Sequence, residues 1–254
     1  AWLAANVAAE ALGSGSLAGG LIAGVKGLAA AGAGYAAADL FSGFLHHWID
    51  NYPTYQSPVV GDVAYEFQVH HHKVHDLEAQ SIWTNMGAAG KFVWAPMVAA
   101  AAMNVHPVLQ AVTLGFAGGC FLAQGSHRWT HMKNPPAIAG VLQKLHLMQS
   151  REQHEVHHRM PWSDNYCIVN GMWNPVLTRT NFFRKWEKLI YDMTGKEPNT
   201  WRDAGVKALA LGQISQEEYL KSQVANRDLF REKVKGEFDA EFERRQLRNQ
   251  PSAG

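Results

Sequence analysis

Residues 17–45 read LAGGLIAGVKGLAAAGAGYAAADLFSGFL. Apart from Lys26 and Asp39 the run carries no charge, and it exceeds the roughly 20 residues an α-helix needs to cross a bilayer. Its many Gly and Ala residues suit close approach of neighbouring helices in lipid. Lys26 can snorkel to the polar boundary, whereas Asp39 must face the protein interior. The competing reading is the buried core helix of a soluble protein.

Upstream, residues 2–12 (WLAANVAAEAL) read as a short helix broken by Gly13-Ser14-Gly15-Ser16, so 1–16 form a helix and linker. The sequence opens on Ala1 with no basic region and cleavage site, and any targeting peptide is read as already removed. Downstream, 87–103 and 108–126 form a second apolar pair joined by a turn at 104–107, with a kink expected at Pro96. The fold expected is an all-α integral membrane bundle of about three membrane helices, with its histidine-bearing helices at one face. Residues 137–160 predict an amphipathic helix at the interface.

The chain's two ends differ in charge. Residues 1–50 hold four charges (Glu10, Lys26, Asp39, Asp50), and residues 196–254 hold 21 of the chain's 45. A bundle domain over 17–201 and a charged helical extension over 202–254 follow. Ser215-Gln216-Glu217-Glu218 has the S-x-x-E pattern of a capping box and opens a helix bearing Tyr219, Leu220, Val224, Phe230, Val234, Phe238 and Phe242. That helix reads either as a solvated tail or as a docking element for a larger membrane complex.

With Lys+Arg at 23 and Asp+Glu at 22, the net charge is only +1, which argues against a nucleic-acid partner. Cys120 and Cys167 cannot build a disulfide framework and are read as reduced. The unusual count is 13 histidines. They gather in four clusters: HHWID at 46–50, FQVHHHKVH ending at His75, HRWTH at 127–131, and HEVHH at 154–158. His47 and Asp50 share a helical face, as do His127 and His131, and His154, His157 and His158. Imidazole suits zinc, copper, iron and nickel. Roughly eight imidazoles overfill a single zinc site, which takes three or four protein ligands. HEVHH also fits the H-E-x-x-H zincin pattern, but that reading leaves three clusters unexplained. His106 and His146 stand alone and are read as non-ligands.

Several stretches resemble the membrane lipid desaturase family that includes the plastid phosphatidylglycerol desaturases and the animal plasmanylethanolamine desaturases. They are ADLFSGFLHHWIDNY (38–52), SPVVGDVAYEFQVHH (57–71), HRWTH (127–131) and LQKLHLMQSREQHEVHHRMPWSDNYCIVNGMWN (142–174). The wording near 50 and 170 is nearer the plastid branch. The resemblance implies eight metal-binding histidines at His47, His70, His71, His127, His131, His154, His157 and His158. It also implies that Asp50 is either a ligand or a partner of one. After the His pair the chain departs from the family, reading His72-Lys73-Val74-His75-Asp76-Leu77, so His75 is a further candidate ligand; Asn85 matches the family's nearby asparagine. The first membrane helix is shortened or missing relative to the family, and the segment after about 205 has no counterpart in it.

By the same resemblance the chain is expected to be a di-iron desaturase with no catalytic residue beyond its metal ligands. It would use O2 and electrons from a separate carrier, because no flavin or nicotinamide motif is present. The resemblance implies ferredoxin as donor in a plastid or thylakoid membrane, or cytochrome b5 in the endoplasmic reticulum. The implied substrate is a phospholipid, phosphatidylglycerol with a 16-carbon chain first and an ether lipid second. Residues 18–34 with Trp129, Trp162 and Trp173 are candidate walls of an acyl slot. A different class, an accessory subunit of a thylakoid complex, is motivated by the shortened start, the altered second cluster and the charged tail.

Overall fold

The computed structural model describes residues 17–73, 76–79, 81–83, 85, 98–99 and 106–249. The expected helix at 2–12, His75 and most of the expected arm at 87–103 lie outside them. Among the described residues the chain is all-helical, and two helices are long and apolar enough to cross a bilayer. The first, α1, runs Leu17–Asn51, six residues beyond the apolar run that predicts it. Leu21, Ile22, Val25 and Leu28 are exposed on it, as a lipid-facing surface requires. The chain divides into two compact units.

The first unit holds α1 up to Phe44, residues 75–154 and the loop 167–173. Its helices are α2's successors in the chain: α3 (Asp76–Ala79), α4 (Pro107–His131), α5 (Ala137–Lys144) and the start of α6 (Arg151–His157), where α2 is Gly61–His72 of the second unit. His106 caps α4: its Nδ1 accepts the Val108 N–H, with Pro107 in the first turn. An added Cβ at Gly34 would collide with the Val112 carbonyl, and one at Gly115 with the Ala31 carbonyl. The small residues thus let α1 and α4 touch backbone to backbone.

Below that crossing, Ala38, Ala123, Ile168 and Val169 form an apolar core with Tyr35, Phe116 and Cys120. Asp39 is fully buried beside it. Its Oδ1 accepts the backbone N–H groups of Val169, Asn170 and Gly171 at 2.9–3.1 Å, and its Oδ2 accepts that of Trp173 at 3.3 Å. The acid inside the apolar run is therefore a loop anchor. Trp173 donates its indole N–H to the Ala36 carbonyl, so it serves this anchor.

The single helix expected over 137–160 is two helices, with a turn at 145–150 where His146 has a φ of 55°. Tertiary hydrogen bonds outcompete helix continuation there: Gln149 N donates to the Val169 carbonyl and Gln149 Nε2 to the Cys167 carbonyl.

The second unit holds residues 45–74, 155–166 and 174–254. Besides α2 it contains α7 (Asn174–Arg179), α8 (Phe182–Thr194), a 3-10 turn (Asn199–Arg202), α9 (Ala204–Ala210) and α10 (Gln216–Asn249). The capping box forms: Ser215 Oγ accepts the Glu218 N–H while Glu218 Oε2 accepts the Ser215 N–H.

Over 234–245 the apolar side of α10 packs within its own unit, partly on α2, while Leu220 and Leu247 are exposed. Phe238 stacks on Tyr65 and on His72, Lys73 lies over the Phe242 ring, and Arg245 pairs with Asp62. Val234 packs against Trp162.

Candidate metal centre

At the end of α1, in the second unit, His46 and Asp50 stand one turn apart and face His71 of α2 and His157 of α6. One ligand atom from each lies within 4.8 Å of the others, and all four residues are buried. Asp50 Oδ2 is 3.3 Å from His46 Nε2, 3.7 Å from His157 Nε2 and 3.9 Å from His71 Nε2. His71 Nε2 and His157 Nε2 are 2.9 Å apart. Four donors placed about 2.1 Å from a tetrahedral centre stand about 3.4 Å apart, so this spacing fits one ion.

The surroundings fix which nitrogen faces inward. His46 Nδ1–H donates to the Tyr166 carbonyl at 3.0 Å, and His157 Nδ1–H to the Asp164 carbonyl at 2.9 Å. A carbonyl only accepts, so Nδ1 carries the proton and the Nε2 lone pair points into the cluster. Gln68 Nε2 reaches Asp50 Oδ1 and the Asp50 carbonyl, leaving Oδ2 to the imidazoles. Trp162 stacks on the outer face of His71 at 4.9 Å. Burial pushes the pKa of His157 down to about 4, and it holds His71 well below the usual histidine range, with the neighbouring imidazoles adding to the effect. Both are neutral at pH 7, the form that ligates metal.

A cavity of about 460 Å³ lies against Asp50 and His71, walled by Gln68, Trp162, Asn199 and Arg202 and, from α10, Val234 and Arg244. His70 and His158, also in this unit, meet edge to face at 5.2 Å.

In the first unit the last turn of α4 brings His127 and His131 to His154. The Nε2 atoms of His131 and His127 are 3.2 Å apart, and those of His154 and His131 are 2.8 Å apart. This is again the separation of donors that share an ion. Asn85 is buried in the same unit, its Oδ1 without a hydrogen-bond partner.

His47, expected as a ligand, is placed elsewhere. Its Nε2 donates to Glu187 Oε1 at 3.0 Å and its ring stacks on Phe183 at 4.5 Å. Its neighbour His46 takes the position in the cluster. Both are fully buried, and the helix turns them to different faces. Glu187 also accepts from Arg184 at 2.6 Å and from the Trp201 indole at 2.9 Å. Burial pushes its carboxyl up, but Arg184, His47 and Trp201 together leave it below the ordinary value. Sequence reasoning missed His46, Gln68, Arg184 and Glu187. The i, i+4 spacing of His46 and Asp50 was the available signal for the first.

Apolar helices with buried clusters of imidazoles and a carboxylate, of a kind that could hold metal, define a membrane helical bundle. The chain belongs to the lipid desaturase domain family, whose model matches residues 35–201. It is 35% identical over 174 residues to fatty acid desaturase 4, chloroplastic, of Arabidopsis thaliana, covering 67% of this chain and 54% of that protein. It is 32% identical over 185 residues to the plasmanylethanolamine desaturase of Myxococcus xanthus, covering 69% of this chain and 64% of that protein. Plasmanylethanolamine desaturase 1 of Mus musculus is 25% identical over 177 residues, covering 65% of each chain. The chain thus spans less than two thirds of the length of these relatives. No solved structure matches it.

Proposed function

We propose that the chain is a membrane-bound lipid desaturase whose buried histidines hold two irons. The observation that carries this is the convergence of His46, Asp50, His71 and His157, buried and with two of the three imidazoles locked in the ligating tautomer. His127, His131 and His154 supply a second set of donors, and His70 and His158 complete the eight imidazoles. His46 stands here in the place expected of His47, with Asp50 as a ligand; Asn85, buried in the same unit as the second set with an unpaired acceptor, is a candidate partner of it.

The overall conversion is –CH2–CH2– + O2 + 2e⁻ + 2H⁺ → –CH=CH– + 2H2O. Bound iron supplies the oxidising power for this, which ordinary acid–base side chains cannot provide. The chain's residues do the rest. The Tyr166 and Asp164 carbonyls hold the imidazoles in register, Gln68 fixes the carboxylate, and Trp162 shields His71. Glu187 and Arg184 brace His47 and with it the end of α1.

The similarity to chloroplastic relatives favours a plastid, thylakoid membrane as location, ferredoxin as electron donor and phosphatidylglycerol as substrate. The Myxococcus xanthus relative favours a second reading, a plasmanyl ether lipid as substrate, with cytochrome b5 as the donor if the membrane is the endoplasmic reticulum. An accessory subunit of a membrane complex has less support, because the buried donors are retained.

The test is metal analysis and lipid product analysis of detergent-purified protein supplied with a reductant, beside His157→Ala. About two irons per chain, a new double bond in phosphatidylglycerol, and loss of both in the variant are expected. Protein purified without chelator that holds no metal would overturn the reading. One zinc would move it to hydrolysis.

A further inference from the structure

Helix α8 shows three faces. Phe183, Arg184 and Glu187 are buried. Lys185 and Asp192 are exposed on a polar face with the half-exposed Lys188. The third face is apolar: the half-buried Phe182 and Trp186 and the exposed Leu189 and Met193 recur at i, i+4, i+7 and i+11, one stripe of a helix. Leu189 is 48% exposed and Met193 75%. Phe182 and Trp186 stack with their rings 12° from parallel. A soluble surface has no use for such a stripe.

The position of α8 along α1 says what covers it. Its buried face meets α1 at His47, through the Glu187 hydrogen bond and the Phe183 stack. His47 lies four residues, about 6 Å, from the end of α1. The 35 residues of α1 extend about 52 Å, well beyond a hydrocarbon core of about 30 Å. The helix must therefore leave the bilayer near this end, where its buried residues are polar. Trp48, beside His47, is 42% exposed, and tryptophan favours the boundary between lipid and water. Around the stripe, Arg179, Lys185 and Lys196 are exposed and Lys188 is half-exposed, against Asp192 and Glu197, which pair with Lys188 and Lys207. That balance complements anionic headgroups.

We propose that α8 lies flat in the membrane–water interface, its stripe from Phe182 to Met193 seated on acyl chains and its lysines among anionic lipid headgroups. The seating is independent of whether the histidines hold iron. It makes one rigid helix both the contact with the lipid surface and the holder of His47.

The experiment is site-directed spin labelling of the full chain in nanodiscs of phosphatidylcholine, with and without phosphatidylglycerol. Nitroxides are placed one at a time at L189C, M193C, K185C and D192C in a C120S background; Cys167 is fully buried. Collision with oxygen relative to a water-soluble nickel chelate is expected to be several-fold higher at 189 and 193 than at 185 and 192, with greater depth when phosphatidylglycerol is present. Equal nickel access at all four positions would overturn the proposal, as would shielding of 189 and 193 from both reagents, which means a protein covers the stripe. Depth indifferent to phosphatidylglycerol would overturn the headgroup assignment. A second measurement leaves the stripe native: lipids brominated on the acyl chain should quench the fluorescence component that Trp186→Phe removes. Absence of that quenching counts equally against the seating.

Discussion

Helix α1 carries two fully buried carboxylates three turns apart, and they are used in opposite ways. Asp39 is saturated by donors: four backbone N–H groups of 169–173 point at it. At Asp50, Gln68 reaches Oδ1, but Oδ2 is faced by acceptors, for the inward nitrogens of His46 and His157 carry lone pairs. A buried carboxylate ringed by N–H groups is finished and structural. One whose oxygen faces imidazole lone pairs suits a shared cation. Burial alone does not distinguish them; the sign of what surrounds each does.

The comparison can be broken by removing each acid in turn. Asp39→Ala orphans four buried N–H groups, and the expected loss is on the order of 4 kcal/mol or more. Thermal unfolding in detergent would read it, and Asp39→Asn, which keeps one acceptor, should lose distinctly less. An equal loss for the two variants would argue against the anchor.

Glu187 sharpens the comparison, since it meets donors on both oxygens. Glu187→Gln leaves the buried Arg184 without its carboxylate and should cost about 3 kcal/mol. Because its folded pKa lies below the ordinary 4.5, its contribution is fully present above that value and is lost as the pH falls through the folded one. The gap between wild type and E187Q should therefore narrow in acid unfolding series below about pH 4.

Asp50→Asn has the smallest expected effect on the fold of the metal-free protein, under about 1 kcal/mol, because no donor depends on Oδ2. Its effect belongs to metal affinity, with a loss of about 100-fold or more expected in iron titration. A large fall in metal-free stability with unchanged iron binding would reverse the roles assigned to the two acids.

Much of this was legible in the sequence. The run 17–45 predicts α1, 108–126 predicts most of α4, and S-x-x-E marks where α10 begins. The helix periodicity also put His127 with His131. What stayed hidden depends on contacts distant in sequence. The pattern at 137–160 could not reveal that Gln149 would leave the helix to bond with 167–169. The i, i+4 spacing pairs His46 with Asp50, but the partner that claims the adjacent His47, Glu187, lies 140 residues away. Nor could periodicity show that α10 would turn its aromatics onto α2, since an amphipathic stripe reports that a face is covered and not by what.

The partners of α1 also impose an order on biosynthesis. His47 waits for Glu187, 140 residues later, and Asp39 for Gly171, 132 residues later. At about 5–20 residues per second that is an interval of about 7–28 s. Throughout it the ribosome has released a membrane segment whose Asp39 has none of its backbone N–H partners. A nascent α1 stopped before residue 169 should be the form most readily captured by the insertion machinery, and release should follow only when the last third of the chain arrives.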